Sequence, residues 1–281
     1  MIVGHKKKER EILRKIFESG KIPHAFLFSG PEGVGKKKMA FEFASWVLGQ
    51  NLSSHPDFFF VQPINGKIQI DQIRDLSWKI SLKPFLGKKK VVILDSAHSM
   101  TKEAQNCFLK TLEEPKGESL IILVSEYPNL LLPTILSRCQ EIKFSLVSKS
   151  EIREFLAQKK VPPEKAEKIL KFSFGKIGKV VEFLTDEKKL EKIENLDKEL
   201  EKVPKLSFSE RFQLVKKWLA DFEVEEILKI SLFHYREVFL SQEKKEEKST
   251  QILEKIQRLY LLNLITNLDP KLILEILLLS F

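Results

Sequence analysis

The sequence predicts an α/β phosphate-loop domain with a parallel sheet between helices, followed by a small helical lid and a further all-helical domain. Three observations carry this. The run Gly30-Pro31-Glu32-Gly33-Val34-Gly35-Lys36 stands between an apolar strand and a helical stretch. Short apolar runs alternate with helical periodicity as far as about Phe144. Beyond that point strand signals almost vanish and helical spacing dominates.

Taken in order, residues 25–29 form an apolar run ending at Gly30, and 36–48 carry apolar residues at helical spacing, so this stretch reads strand, loop, helix. Residues 57–61 and 68–70 read as shorter strands and 71–81 as a helix. The apolar run 91–94, between Lys88-Lys89-Lys90 and Asp95, has the pattern of a central strand buried on both faces. Residues 102–112 predict a helix that stops near Glu114-Pro115, since proline cannot continue it. A third apolar strand, 120–124, ends at Ser125. Residues 149–159, 163–172 and 178–184 then read as three short helices. From Asp186 the chain is rich in lysine and glutamate, and helical patterning resumes in 208–222, 224–240, 250–268 and 271–279. The polar run 241–249 reads as an exposed loop or helix extension. The expected domains are therefore 1–145, 146–186 and 187–281.

Composition narrows the function classes. A chain of 281 residues, 43% hydrophobic and 31% charged, can bury sizeable cores and is neither disordered nor fibrous. The basic first ten residues lead into an amphipathic stretch, not an apolar run with a cleavage site, and apolar runs fall short of the roughly 20 residues that span a bilayer. No membrane role and a cytoplasmic location are expected. The two cysteines, Cys107 and Cys139, cannot supply a four-ligand zinc site, so no metal is expected. The net charge of +9 and the lysine runs 6–8, 36–38 and 88–90 would suit a polyanion, but interspersed Lys and Glu also describe solvated helix faces. His5, His98 and His234 are isolated, and Trp46, Trp78 and Trp218 sit in apolar helical patterns that predict core positions.

The phosphate loop carries the chemistry, and it is broken. Gly30, Gly33 and Gly35 let backbone amides approach phosphate oxygens, the helix start adds partial positive charge, and Lys36 would reach the outer phosphates. The next position should offer a hydroxyl to magnesium. It is Lys37, whose ammonium has no lone pair and repels a cation. Asp95 stands where a strand-end acid assists the metal; capping of the following turn is its other reading. Ser96 follows it in place of a water-activating glutamate. Ser125 occupies a strand end where a polar group can sense a terminal phosphate.

Further stretches sharpen the assignment: His55-Pro56-Asp57-Phe58; Ala104 through Asn106, Lys110, Glu113 and Glu114 to Pro115; Ser137-Arg138-Cys139; and Asn267-Leu268-Asp269-Pro270. Together they resemble the delta-prime subunits of bacterial DNA polymerase III clamp loaders, a family of AAA+ proteins, over nearly the whole chain. The resemblance implies an AAA+ domain, a lid and an oligomerising helical collar. It implies that Arg138, flanked by Ser137 and Cys139, is a finger presented in trans to ATP on a neighbouring motor subunit. The implied partners are the motor subunits and a delta subunit in a hetero-pentamer, primed DNA through the assembled complex, and the sliding clamp indirectly. Departures matter equally. Residues 47–54 hold no cysteine where many members bind zinc, and Gly178 replaces the arginine of a Gly-x-x-Arg lid element in Gly175-Lys176-Ile177-Gly178. The expectation is a non-hydrolysing subunit of the polymerase holoenzyme, with no firmly bound cofactor and at most weak ATP binding. An active motor subunit of the same loader and a basic nucleic-acid-binding module are the alternatives.

Overall fold

Strands β1 (Ala25–Ser29), β2 (Phe58–Val61), β3 (Lys90–Leu94), β4 (Ser119–Ser125) and β5 (Gln140–Lys143) form one parallel sheet in the order β2-β3-β4-β1-β5. In this computed structural model residues 8–49, 52–86, 88–114, 118–241, 247–266 and 268–281 are described. The central strands β1, β3 and β4 are buried at every position, and apolar except at their end residues Ser29, Lys90, Ser119 and Ser125, because helices cover both faces. Phe26, Phe28, Val91, Ile93, Leu120 and Ile122 pack with Met39, Ala40 and Phe43 of helix α2 (Lys36–Leu48) and Leu13 of α1 (Glu9–Glu18). The alternate residues Leu27, Val92, Leu94, Ile121 and Leu123 pack with Ile73, Leu76 and Ile80 of α3 (Ile70–Ser81) and with Ala104, Phe108 and Leu112 of α4 (Lys102–Glu113). At roughly 1.5–3 kcal/mol for each large side chain buried, these two layers dominate the stability of the domain.

The chain forms two compact units: residues up to Ala166 with Ser173–Glu182, and Glu167–Phe172 with Phe183–Phe281. The first contains the sheet, α5 (Pro133–Leu136), α6 (Lys149–Gln158) and the start of α8 (Ile177–Thr185); α7 (Pro163–Ser173) is shared. The second contains α9 (Glu187–Lys202), α10 (Phe208–Asp221), α11 (Val224–Ser241), α12 (Glu247–Ile265) and α13 (Pro270–Leu278). Polar residues set the helix starts. Thr101 accepts the Ala104 amide at 3.2 Å, and Ser148 with Glu151 and Ser207 with Glu210 form capping boxes.

Two sequence expectations are corrected, the strand 68–70 and the core placing of Trp78, and two elements the sequence did not mark are added. Residues 68–70 are not a strand: Ile68 makes a lone bridge to Met100, and Ile70 opens α3 behind a Gln69–Gln72 capping box. Strand β5 has a single buried residue, Ile142, because it lies at the sheet edge, so no apolar run announced it. The lysine- and glutamate-rich stretch after Asp186 is helix α9, whose Leu190, Ile193, Leu196 and Leu200 make a narrow buried stripe beneath charged faces. Trp78 is 61% exposed, whereas Trp218 is buried and Trp46 half-buried. His5, Pro115, Asn267 and residues 242–246 of the polar run lie outside the described residues. Among the described residues no helix is long and apolar enough to cross a membrane.

Candidate functional site

The phosphate loop, Asp95 and Ser125 meet at the C-terminal ends of β1, β3 and β4, where an open parallel sheet presents its crevice. A cavity of about 600 Å³ lies there, lined among others by Gly33, Lys36, Lys37, Asp95, Glu126 and Gly178. Gly30 leaves β1 at φ +134°, and a Cβ on it would stand 2.0 Å from the Phe144 carbonyl oxygen, so only glycine fits. Gly35 is the N-cap of α2 and supplies no side-chain cap, which leaves the helix start open to the cavity.

The cations of the loop are turned to internal partners. Lys36 is buried, and its Nζ donates to the carbonyls of Gly30 and Pro31, both at 2.6 Å. Burial holds its pKa below the usual lysine value, against the nearby carboxylates of Glu126, Glu32 and Asp95. Lys37 Nζ lies 2.9 Å from Asp95 Oδ2 and over the Phe60 ring at 4.8 Å from its centroid. Asp95 Oδ1 accepts the Ser96 amide at 3.1 Å, so this carboxylate both caps the turn and binds a cation. A fixed ammonium thus occupies the carboxylate that a divalent ion would need. The residues present do not fit magnesium in its usual place in a phosphate loop.

The other site positions are equally engaged. Ser125 is fully buried and its Oγ lies 3.3 Å from His98 Nδ1; burial and the charge of Lys36 depress the His98 pKa. Gly178 donates its amide to the Gly33 carbonyl at 2.7 Å, and a Cβ on Gly178 would come within 3.0 Å of that oxygen. The lid residue that stands in place of an arginine is therefore a direct backbone contact to the phosphate loop. His98 and Glu126 were not singled out from sequence as site residues, for neither belongs to a motif; strand ends bring them in. Between α2 and β2 the described residues include no cysteine, and no His, Cys, Asp and Glu cluster suited to a metal occurs among the described residues.

Arg138 is not in this constellation. It precedes β5, whose Gln140 lies opposite Phe26, whereas the phosphate loop starts at Gly30; about 13 Å of strand, at roughly 3.3 Å per residue, separates the two levels. Its guanidinium is at the N-terminal pole of the sheet. Nη1 donates to Thr134 O at 2.8 Å, and Nη2 meets Glu113 Oε1, at the end of α4, at 2.8 Å. Ser137 Oγ is 3.4 Å from Nη1. Cys139 is half-buried, and desolvation pushes its thiol up to about 12, which disfavours the thiolate. Asn106, Lys110 and Glu113 lie on the exposed side of α4, and Glu114, which caps its end, is exposed as well.

A glycine-rich loop at the end of a parallel strand, with a helical lid bonded to it, defines a P-loop domain of AAA+ type. Solved structures agree on the fold. A DNA polymerase III gamma-subunit-related protein from Thermotoga maritima superposes with a TM-score of 0.61 at 20% identity, covering 97% of this chain and 98% of its own. A RuvB structure from the same organism gives 0.52 at 17% identity, covering 96% and 83%. The chain belongs to the family described as DNA polymerase III, delta subunit, whose model matches residues 5–148. It is 35% identical over 173 residues to the DNA polymerase III subunit delta' of Pseudomonas aeruginosa (54% of this chain, 53% of that protein). It is 31% identical over 172 residues to that of Bacillus subtilis (56% and 52%). The chain thus spans about half the length of the curated relatives it matches.

Proposed function

We propose that this chain is the delta-prime-type subunit of a bacterial clamp loader, a non-hydrolysing component of the DNA polymerase III holoenzyme. In the assembled hetero-pentamer it lends Arg138 to ATP on the adjacent motor subunit, supports the ring through its C-terminal helices, and serves loading of the sliding clamp onto primed DNA. The observation that carries the reading is the Lys37–Asp95 ion pair, 2.9 Å long, standing where a working phosphate loop would hold magnesium. Without that ion the charge developing on a transferred phosphoryl group lacks its divalent counter-charge, and Ser96 offers no base to a water. At most a nucleotide binds weakly.

Supporting the second half is the position of Arg138. It lies at the pole opposite its own loop, on the surface, where only another molecule's phosphates could meet it. A permanently charged, planar guanidinium suits that task. The test is ATP turnover by the reconstituted complex with Arg138→Ala. Assembly is expected to persist while turnover at the adjacent site falls by about 100-fold or more. Unchanged turnover would remove the finger assignment, and magnesium-dependent turnover by the isolated chain would replace the whole reading with that of a motor subunit.

A further inference from the structure

We propose that Glu113 is a positioning residue for Arg138, holding the guanidinium poised at the N-terminal pole of the sheet before a neighbour's phosphate arrives. The inference rests on the trans-arginine reading above. Two elements converge on the arginine from its own subunit. The first turn of α5 supplies the Thr134 carbonyl, which takes one Nη1 hydrogen at 2.8 Å, and the last residue of α4 supplies the Glu113 carboxylate, which takes one Nη2 hydrogen at 2.8 Å. A guanidinium carries five N–H donors. These two contacts use one hydrogen on each Nη, and the second Nη1 hydrogen faces Ser137 Oγ at 3.4 Å; the second Nη2 hydrogen and Nε–H, which has no partner among the described residues, are left for a phosphate.

The chemistry of the contact favours positioning over neutralisation. Arginine has a long side chain whose many rotamers must be narrowed before it can stabilise a transition state, and each rotamer lost at the moment of reaction raises the barrier. Thr134 alone fixes one end of the fork; Glu113 fixes the other. The pair is single-pointed and open to water on both sides, with Arg138 34% and Glu113 45% exposed, so solvent screens the carboxylate's charge while its directional hydrogen bond remains. Glu113 also stands on a firm base. Helix α4 is capped by Thr101 and anchored by the buried Ala104, Phe108 and Leu112, and Gln105 clamps the segment ahead of α5 by accepting the Leu132 amide at 2.8 Å.

The experiment compares the reconstituted clamp-loader complex carrying the wild-type chain with complexes carrying Arg138→Ala, Glu113→Ala and Glu113→Gln. The turnover lost with Arg138→Ala defines the part that depends on this arginine. Of that part, Glu113→Ala is expected to lower kcat about two- to fivefold, the size of a half-exposed pair, with KM for ATP unchanged. Glu113→Gln, which keeps an acceptor oxygen without the charge, returns it to within about twofold. The melting temperature of the isolated chain should not move with either Glu113 variant. If Arg138→Ala lowers turnover and Glu113→Ala does not, the positioning role is wrong and the finger stands. An effect of Glu113→Ala on KM alone, or one accompanied by lower melting, also overturns it. If Arg138→Ala itself changes nothing, the finger reading fails first and this one with it.

Discussion

Replacing Lys37 by threonine removes the ammonium from Asp95 and puts a hydroxyl at the magnesium position of the phosphate loop. The two consequences can be separated. Lys37 is half-exposed and its bond to Asp95 is 2.9 Å, while the other Asp95 oxygen keeps the Ser96 amide. Loss of a pair this open to water should cost about 0.5–1 kcal/mol, or about 1–4 °C in Tm for a unit of this size. The second consequence is linkage. A ligand present at 100 times its Kd stabilises the folded state by about 2.7 kcal/mol, so calorimetric melting with ATP reports binding directly. For the wild-type chain, ATP should shift Tm equally, if at all, with magnesium or with EDTA. For Lys37→Thr, ATP with magnesium should raise Tm above ATP with EDTA, because Asp95 and the new hydroxyl are then free for the ion. Turnover is not expected to appear, since Ser96 and Gly178 remain. A wild-type chain stabilised more by ATP with magnesium than by ATP with EDTA would show that the Lys37–Asp95 pair yields to the metal, and would undo the reasoning.

Other perturbations test the frame around the site. Gly30→Ala forces a Cβ to 2.0 Å from the Phe144 carbonyl at φ +134°, and should cost about 3 kcal/mol or more in chemical denaturation. Asp57 is buried and accepts the amides of Phe85 and Leu86 at 2.7 and 2.8 Å; Asp57→Ala should cost about 2–4 kcal/mol and speed hydrogen exchange at both amides. In the second unit, burial raises the Asp197 pKa, but hydrogen bonds from His234 at 2.8 Å and Lys171 at 2.5 Å outweigh it and hold the carboxyl below its usual 3.8. A depressed acid stabilises above its unfolded pKa and loses that contribution as pH falls through the folded value. Asp197→Asn should therefore cost about 1–2 kcal/mol at pH 7 and flatten the loss of stability below about pH 4, read from denaturant midpoints across pH.

How much was legible in advance depended on the range of the interaction. The fold of the first unit was readable because its strands, such as 91–94 and 120–124, are buried on both faces and so are apolar throughout, and because the loop between β1 and α2 has a local chemistry that few other structures need. Edge strand β5 and helix α9 escaped because each buries only a narrow stripe, Ile142 alone in one and four aliphatic residues in the other. Trp78 misled because helical spacing marks an apolar face without saying whether anything covers it.

The amino-acid sequence by itself determined that Lys37, Ser96 and Gly178 stand at the positions where a magnesium hydroxyl, an activating glutamate and, by the family resemblance, a lid arginine are expected, since each is a matter of which residue stands at a position. Only the tertiary structure decided what the residues present do. Lys37 reaches Asp95, Gly178 donates to Gly33, Ser125 meets His98, and Arg138 is held by Glu113. Every one of these pairs joins segments distant along the chain, and the parallel sheet sets which of them share an end. Phosphate loop, Asp95 and Ser125 fall at the C-terminal ends of the strands and Arg138 at the other, because parallel strands all start on one side and finish on the opposite one.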